Sequence, residues 1–255
     1  MNQAVISGIN IYQDSPYDTL RGCVEDAQQF NLLALNYLGF QLNEVTLLLD
    51  SHATAVREKN AVELAVSRAK AGDRVLWAHS SHGANDIDPT QADGFEELLC
   101  CYDTKEKGDR WDPTTVISAK FIGEVITDLH PQAHMDIILD CCFAPEGGQL
   151  KLMARSYFRA RYLYKPLKGT ATGLATRTKL PPNVCLWSAC ESDQTSADAY
   201  IDGKWQGAFS AAFRKFFKVG RSRSDIIYYT RKWLRDNRYE QVPHLYGIGL
   251  ANNPL

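Results

Sequence analysis

Short runs of apolar residues alternate along the chain with longer segments in which apolar residues recur every three or four positions. The first pattern is typical of buried strands and the second of amphipathic helices. The predicted strands are Ala4–Asn10, Val45–Leu49, Arg74–Ser80, Met135–Leu139, Val184–Ala189 and a last one near Leu245–Ile248. The predicted helices are Asp26–Leu38, Thr54–Ala71, Ser118–Leu129, Gly207–Phe217 and Ser224–Asn237.

This alternation of strands and helices predicts an α/β fold in which helices cover both faces of a mostly parallel sheet. A chain of 255 residues is long enough to bury one sizeable core, so we interpret residues 1–255 as a single domain. In such sheets functional residues lie beyond the carboxyl ends of the strands. One predicted strand runs into Ser81-His82-Gly83 and another into Asp140-Cys141-Cys142, which makes these two ends the first place to look for a site.

The charge distribution sets one segment apart. The formal net charge is -2, but the stretch from Gly147 to Cys190 carries eight basic residues and no acidic one, which leaves 20 basic and 30 acidic residues elsewhere. Within it, residues 147–182 fit neither the strand period nor the helix period and end in Pro181-Pro182. We interpret them as a long exposed basic loop that connects a larger part, residues 1–146, to a smaller part, residues 183–255.

The remaining composition excludes several classes of protein. No apolar run approaches the ~20 residues of a membrane span, and the N-terminus lacks the basic and apolar stretches of a signal peptide. The seven cysteines are an odd number without a C-x-x-C pair, which is typical of reduced thiols rather than of a disulfide framework. We therefore expect a cytoplasmic protein with no membrane partner.

The two strand ends carry the groups that a cysteine nucleophile needs. A thiol requires a neighbouring base to form thiolate at neutral pH, and histidine serves best because its pKa lies near that pH. If the two strands are parallel neighbours, His82 and Cys142 lie side by side. Gly83 leaves its backbone N–H open to a substrate oxygen, and with the N–H of Cys142 it would form an oxyanion hole. Taken alone, a histidine and a cysteine at strand ends are more often plain structure than a catalytic pair.

Six motifs that occur in order along the chain resemble those of metacaspases and their bacterial relatives, the orthocaspases, which are caspase-like cysteine peptidases. Leu76–Gly83 resembles the family's histidine motif, and Leu139–Cys142 resembles its Asp-x-Cys nucleophile motif. The other four are Leu20–Ala27, Asp93–Glu97, Ser188–Asp198 and Gly207–Ser210. The resemblance implies a caspase-like fold with a six-stranded sheet flanked by helices. It also implies a cysteine endopeptidase in which Cys142 is the nucleophile and His82 its base.

The resemblance further implies that the peptide bonds of a protein substrate are cleaved after Arg or Lys. The family holds this cationic side chain with two aspartates, a cysteine and a serine, and the matching residues here are Asp26, Asp140, Cys23 and Ser80. Two carboxylates that face one pocket repel each other, and a guanidinium or ammonium group relieves that repulsion. Taken singly, Asp26 and Asp140 also fit structural roles, as a first-turn helix residue and a strand-end cap.

Two neighbouring residues compete for the catalytic roles. Cys141 is a rival nucleophile, but the period of two along a strand points it away from Cys142 and into the core, where a buried thiol is inert. His79 is a rival base that lacks the following glycine. A metal pair of His79 and His82 has no cysteine or carboxylate cluster near it in sequence, so we predict no metal there.

Calcium is required by many metacaspases, and the matching positions here have lost most of their carboxylates. Glu96 keeps the acidic type, whereas Ser118-Ala119 replaces an Asp pair, and Gln149 takes an acidic position a little beyond the nucleophile. Calcium binds six to eight oxygen ligands, with carboxylates dominating. We therefore predict that the protein needs neither calcium nor any other cofactor.

One departure from the family keeps other functions open. Phe143-Ala144-Pro145 follows the nucleophile, where the family usually has His-Ser-Gly. A catalytically weak module of the same fold that binds a partner is therefore the alternative to an active peptidase. The basic loop, in which tyrosines interleave with arginines, offers nucleic-acid binding as a third hypothesis, although we do not expect nucleic acid as a partner. The sequence leaves open whether an activating partner exists.

The basic loop is also a candidate substrate of the protein's own site, because it offers Lys and Arg residues to a peptidase that is expected to cleave after them. Lys168, Arg177 and Lys179 are the favoured positions. The alternative is an enzyme that stays a single chain, with residues 147–182 as a plain surface loop.

Overall fold

The computed structural model describes residues 1–14, 19–90, 94–142, 158–160, 180–191 and 194–255. Its strands are β1 (Gln3–Gly8), β2 (Val45–Leu49), β3 (Arg74–Ser80), β4 (Gly83–Ile87), β5 (Phe95–Cys100), β6 (Glu106–Lys107), β7 (Arg110–Trp111), β8 (Val116–Ser118), β9 (His134–Asp140), β10 (Phe158–Ala160), β11 (Val184–Ser188), β12 (Ala197–Ile201), β13 (Lys204–Gly207) and β14 (His244–Tyr246). Its α-helices are α1 (Cys23–Tyr37), α2 (Ala55–Arg68), α3 (Ala119–Thr127), α4 (Ala208–Phe216) and α5 (Arg223–Asp236). Short 3-10 helices span Leu42–Glu44, Asp50–His52 and Ile248–Leu250.

The central sheet has six strands in the order β14-β11-β9-β3-β1-β2. The five strands from β11 to β2 run parallel to their neighbours, and β14 pairs antiparallel with β11 at one edge. The predicted fold, a caspase-like and mostly parallel six-stranded sheet flanked by helices, is confirmed. The central pair is β3 and β9, whose last residues Ser80 and Asp140 lie opposite each other.

The two faces of this sheet bury separate cores. Trp77 and Ile137 pack on one face with apolar residues of α2 and α3. Their sequence neighbours Ala78 and Ile138 pack on the other face with residues of α1, α4 and α5. Burial on both faces explains why these strands read as continuous apolar runs rather than as alternating ones. No helix within the described ranges is both long and apolar enough to cross a membrane.

The helices begin at or near the predicted positions, with one exception. Thr54, Ser118 and Ser222 cap α2, α3 and α5, because their hydroxyls accept hydrogen bonds from backbone N–H groups in the first turn. Helix α1, however, begins at Cys23 rather than at the predicted Asp26. The cap of this helix comes from outside its own segment: Asn10 Oδ1 accepts hydrogen bonds from the first-turn N–H groups of Cys23 and of the next residue. A periodicity argument does not detect such a long-range cap.

Two small sheets lie beyond the main sheet and were not predicted. One has the order β4-β5-β8 and the other β10-β12-β13, and β6 and β7 form a separate hairpin. Their strands are short, and some of their buried positions are polar, as at Asn85, Asp86 and Glu97. Asp86, for example, accepts hydrogen bonds from the side chain of Arg110 and the backbone N–H of Trp111. Buried polar residues that are satisfied in this way hide a strand from an apolar pattern.

The basic segment is only partly described. Phe158–Ala160 forms β10 and pairs antiparallel with β12, so the interpretation of residues 147–182 as loop throughout is wrong at these three residues. The expected self-cleavage positions Lys168, Arg177 and Lys179 lie outside the described residues, as does Phe143-Ala144-Pro145.

Candidate active site

The predicted catalytic residues follow the two central strands. Ser80 and Asp140 end β3 and β9 and are register partners, and His82 and Cys142 each lie two residues further along. Neighbouring strands lie about 4.8 Å apart. The two segments therefore leave the sheet side by side, and the structure brings the histidine and the cysteine to the same edge.

Gly83 lies directly against the backbone of Cys142. A Cβ at residue 83 would clash with the carbonyl oxygen of Cys142 and would lie 3.3 Å from its backbone nitrogen. Only glycine permits this approach, because any side chain would meet main-chain atoms. The two residues predicted to supply an oxyanion hole are thus adjacent in space.

The Cys142 thiol is fully buried and bonded to one short segment. The backbone N–H of Ser196 donates a hydrogen bond to Cys142 Sγ at 2.6 Å, and the carbonyl oxygen of Ser196 lies 3.4 Å from the same sulfur. The Cys142 side chain contacts that of Cys190.

The neighbouring Cys141 has a different environment. Its side chain belongs to the apolar core on the α2 and α3 face of the sheet, on the side opposite Cys142. Burial raises the pKa of the Cys141 thiol well above its ordinary value, and the nearby Cys142 and Asp140 raise it further. Cys141 is therefore held in the unreactive protonated form.

His82 is fixed from several sides by groups that the sequence did not reveal. Its backbone N–H donates a hydrogen bond to the Tyr12 hydroxyl at 2.9 Å, and the Tyr12 ring lies 5.4 Å from the imidazole ring. Its carbonyl oxygen accepts hydrogen bonds from the backbone N–H of Cys100 at 3.1 Å and from the Ser81 hydroxyl at 2.6 Å. Tyr12 lies in the loop after β1 and carries no motif signal of its own.

His79 lies in a separate buried network. Glu58 Oε1 lies 2.8 Å from His79 Nδ1, and it accepts hydrogen bonds from the Trp77 indole and the Ser7 hydroxyl, both at 2.8 Å. His79 Nε2 lies 2.6 Å from Ser81 Oγ. Because both ring nitrogens are engaged inside the protein, His79 is unsuited to the role of catalytic base or of metal ligand.

The Glu58–His79 pair is expected to be a major element of stability. Burial alone would raise the pKa of the Glu58 carboxyl, but His79 and the hydrogen bonds from Trp77 and Ser7 outweigh it, so the pKa is lowered. Breaking a buried pair costs about 3–5 kcal/mol. We expect Glu58→Gln to lower the free energy of unfolding by an amount of this size, measured by urea denaturation. Glu63→Gln, on the exposed side of the same helix, should change it little.

The pair also predicts an acid-sensitive contribution. Since the native pKa of Glu58 is lowered, its contribution is complete above the ordinary glutamate value of about 4.3 and is lost as pH falls through the native value. The difference in stability between the wild type and Glu58→Gln should therefore shrink in acid. A difference that stays constant from neutral pH into acid would contradict this assignment.

The two predicted pocket aspartates are close together. Both flank Gly207: a Cβ there would clash with Asp140 Oδ2 and would lie 2.9 Å from Asp26 Oδ2. The two carboxylates therefore lie within about 5 Å of each other, a range at which like charges couple strongly. Ser80 donates its hydroxyl to Asp26 Oδ2 at 3.2 Å, and the backbone N–H of Gly207 donates to the same oxygen at 2.9 Å. Cys23 lies one helical turn before Asp26 and is buried as well.

Three further residues bind these carboxylates, and none was singled out individually from the sequence. Ser196 Oγ donates to Asp140 Oδ1 at 2.7 Å, and Ser210 Oγ donates to Asp140 Oδ2 at 2.5 Å. Arg214 pairs with Asp26 Oδ1 at 3.4 Å. The two serines lie within family-like motifs, which is a signal that could have been used. Arg214 lies beyond the motif that opens α4 and carries no such signal.

The acidic residue that matches the family's calcium positions has a structural partner. Glu96 Oε1 accepts a hydrogen bond from the backbone N–H of Lys120 at 3.1 Å, at the start of α3. Ser118, which replaces an acidic residue, caps the same helix. In the part of the chain that the structure describes, no three His, Cys, Asp or Glu side chains group in a way that could hold a metal ion. Within the described ranges, Glu96 and Ser118 therefore serve the start of α3, and the prediction that calcium is not required remains a prediction.

A cysteine and a histidine at neighbouring strand ends of a caspase-like sheet define the class of cysteine peptidases with this fold. The family model described as "Metacaspase, peptidase C14 domain" matches residues 2–151, more than half of the chain. The chain belongs to the metacaspase family.

Curated relatives agree with this assignment. Metacaspase-1 of Botryotinia fuckeliana is 26% identical over 290 residues, which cover 95% of this chain and 67% of that protein. Metacaspase-1A of Neurospora crassa is 26% identical over 283 residues, which cover 95% of this chain and 62% of that protein. The chain thus spans about two thirds of the length of these relatives.

Two solved structures share the fold. The crystal structure of a protein from Geobacter sulfurreducens superposes with a TM-score of 0.69 at 20% identity and covers 99% of this chain and 97% of that one. Caspase-1 from Spodoptera frugiperda superposes with a TM-score of 0.59 at 13% identity and covers 96% of this chain and 85% of that one. At these identities the likeness concerns the fold.

Proposed function

We propose that this metacaspase is an endopeptidase that cleaves proteins after Arg or Lys, with Cys142 as nucleophile and His82 as its base. The observation that carries the proposal is the placement of these two residues at equivalent positions beyond the paired strand ends Ser80 and Asp140. Of the rival residues, Cys141 lies in the apolar core and His79 is bonded to Glu58 inside the protein.

The proposed reaction is acyl transfer through the sulfur. His82 takes the proton of Cys142, and the thiolate attacks the carbonyl carbon of the cleaved bond. The backbone N–H groups of Gly83 and Cys142 stabilise the oxyanion of the tetrahedral intermediate. His82 then gives its proton to the leaving amine, and water hydrolyses the thioester to release the acid product.

Substrate binding requires an opening of the state described here. Both Cys142 and His82 are buried, so a peptide carbonyl does not reach the sulfur in this arrangement. Ser196 closes over Cys142 Sγ through its backbone, and displacement of this segment would expose the nucleophile. The same burial is the observation that favours the second candidate function, a weakly catalytic module that binds a partner.

The preference for a cationic residue follows from the acidic pair. Asp140 accepts hydrogen bonds from the hydroxyl groups of Ser196 and Ser210. The Asp26 carboxylate forms an ion pair with Arg214, which offsets part of its negative charge. We infer that Asp140 supplies most of the attraction for a substrate guanidinium or ammonium and that Asp26, Ser80 and Cys23 shape the pocket around it.

Digestion of a proteome-derived peptide library tests the proposal as a whole. Incubation with the wild type should produce new peptide ends whose preceding residue is Arg or Lys, and Cys142→Ala should produce none. If the folded wild type also leaves the library intact, the proposed peptidase activity is wrong and the alternative, a module that binds a partner, is supported. New ends that follow Asp would overturn the specificity.

Activity should not depend on calcium. Glu96 is already used to cap α3, and Ser118 replaces an acidic ligand, so a high-affinity calcium site lacks its carboxylates. We expect the rate of hydrolysis of an Arg-containing peptide to be the same with a calcium chelator as with millimolar calcium. Strong inhibition by the chelator that added calcium reverses would contradict this expectation.

A further inference from the structure

Cys142 has a second thiol at its side. Cys142 and Cys190 contact each other in a buried pair that is separate from the two main cores of the sheet. Cys190 Sγ lies 3.4 Å from the carbonyl oxygen of Gln194, and Cys142 Sγ is bonded to Ser196, so both sulfurs face the same short segment. Both residues are almost fully buried.

The backbone holds these two cysteines at a spacing that suits a disulfide. They follow β9 and β11, which are parallel neighbours with Leu139 opposite Ser188. Ala189 continues the pairing, since its N–H donates to the carbonyl oxygen of Leu139. Continued by this register, Cys190 lies opposite Cys141, so Cys142 is offset from Cys190 by one residue along the strand. A strand spacing of about 4.8 Å and a rise of about 3.3 Å per residue then place the two Cα atoms about 6 Å apart, within the range of roughly 4.4–6.8 Å that disulfides require.

We propose that Cys142 and Cys190 form a reversible disulfide that switches off the site, an inference that rests on Cys142 being the nucleophile of the proposed peptidase. The oxidant is a hydroperoxide. The Cys142 thiolate attacks one peroxide oxygen, so that an S–O bond forms and the O–O bond breaks. The sulfur is oxidised to a sulfenic acid, while the peroxide is reduced to water or an alcohol.

The second step joins the two sulfurs. Cys190 attacks the sulfur of the sulfenic acid, an S–S bond forms, the S–O bond breaks, and the hydroxyl leaves as water with the proton of Cys190. A dithiol reductant restores both thiols by exchange. Because the nucleophilic sulfur is then blocked, peptide hydrolysis stops until the bond is reduced.

Cys190 is the partner that the structure favours over the other thiols. The Cys141 side chain packs into the apolar core on the α2 and α3 face of the sheet, whereas the Cys190 side chain contacts Cys142 outside that core. The hydrogen bond to Cys142, together with burial, raises the pKa of Cys190, which keeps this thiol protonated while it donates to the nucleophile. Oxidation of Cys142 removes that hydrogen bond and leaves Cys190 in contact with the electrophilic sulfur.

The test is to map disulfides in the full-length chain by mass spectrometry of its tryptic peptides. In the variant used, the peptide with Cys142 and the peptide with Cys190 contain no other cysteine. Residues 121–151 and 180–204 are the two peptides, and the substitutions Cys141→Ala and Cys185→Ala leave Cys142 and Cys190 as their only cysteines. After treatment with one equivalent of hydrogen peroxide, we expect these peptides to be linked, with a loss of two hydrogens, and dithiothreitol to separate them. Adding Cys190→Ala should abolish the link, so that Cys142 stays at the sulfenic acid with one equivalent of peroxide and is oxidised further to the sulfinic acid only by a second equivalent.

Activity measured on the same samples separates the two proposals. Loss of most peptidase activity with peroxide and its return with dithiothreitol, in step with the link, supports the switch. If Cys142 and Cys190 become linked in a chain that has no peptidase activity before oxidation, the proposed disulfide is supported and the proposed function is wrong. An active chain in which peroxide converts Cys142 to sulfinic acid while Cys190 stays a free thiol would overturn the disulfide.

Discussion

Replacing Cys142 by alanine is expected to abolish peptide hydrolysis and to leave the fold intact. The sulfur forms the bond to the substrate carbonyl in the proposed reaction, and removal of a nucleophile costs on the order of 10^6-fold in kcat. His82→Ala should cause a loss of similar size, because the two residues act as a unit and the thiol then lacks its base. Initial rates with an Arg-containing fluorogenic peptide measure both losses.

Cys141→Ala is the matched control for this prediction. It removes a thiol one residue away whose side chain lies in the apolar core on the other face of the sheet. We expect much of the activity to remain, with some loss of stability because a buried group is deleted. An inactive Cys141→Ala variant beside an active Cys142→Ala variant would reverse the assignment of the nucleophile.

The second large effect is expected at Asp140. Asp140→Asn removes the negative charge but keeps the size of the side chain, and a charge-assisted contact contributes about 1.5–3 kcal/mol, or roughly ten- to hundredfold in kcat/KM. The sharpest measurement is the ratio of kcat/KM for paired peptides with arginine or with citrulline before the cleaved bond. Citrulline has nearly the shape of arginine without its charge, so this ratio isolates the electrostatic contribution.

The ratio also separates a lost contact from a damaged fold. Misfolding of Asp140→Asn would lower kcat/KM for both peptides equally, whereas loss of the contact lowers it mainly for the arginine peptide. Asp26→Asn should reduce the ratio less, because Arg214 already shares the charge of Asp26. Glu25→Gln, next to it on α1 and paired with Lys204 outside the pocket, is the control and should leave the ratio unchanged. A wild-type ratio near one would contradict the acidic pocket.

The main sheet could be predicted from the sequence because its strands are buried on both faces. The continuous apolar runs ending at Ser80 and near Asp140 identify β3 and β9, and parallel pairing then brings His82 and Cys142 together. The apolar pattern does not predict the two small sheets, β4-β5-β8 and β10-β12-β13. Asp86, for example, is buried and accepts hydrogen bonds from Arg110 and Trp111, which are distant in sequence, so its strand looks like an exposed loop.

The candidate site was predicted less completely than the fold. The motifs give residue types at strand ends, but they do not give the groups that hold them, since those come from other elements. Tyr12 contacts His82 from the loop after β1, and Arg214 reaches Asp26 from the far end of α4. Such contacts depend on how helices and loops pack around the sheet, which periodicity and spacing do not specify.

Covalent labelling with a peptidyl-arginine chloromethyl ketone tests the central claim most directly, because it reports the nucleophile and the cationic pocket together. The reagent places arginine in the acidic pocket, and the thiolate displaces chloride to form a stable thioether. We predict one adduct, located on Cys142 by fragmentation of the tryptic peptide of residues 121–151, with much slower labelling by the matching aspartate reagent. An adduct on Cys141, or equally fast labelling of Cys142 by the aspartate reagent, would contradict the account.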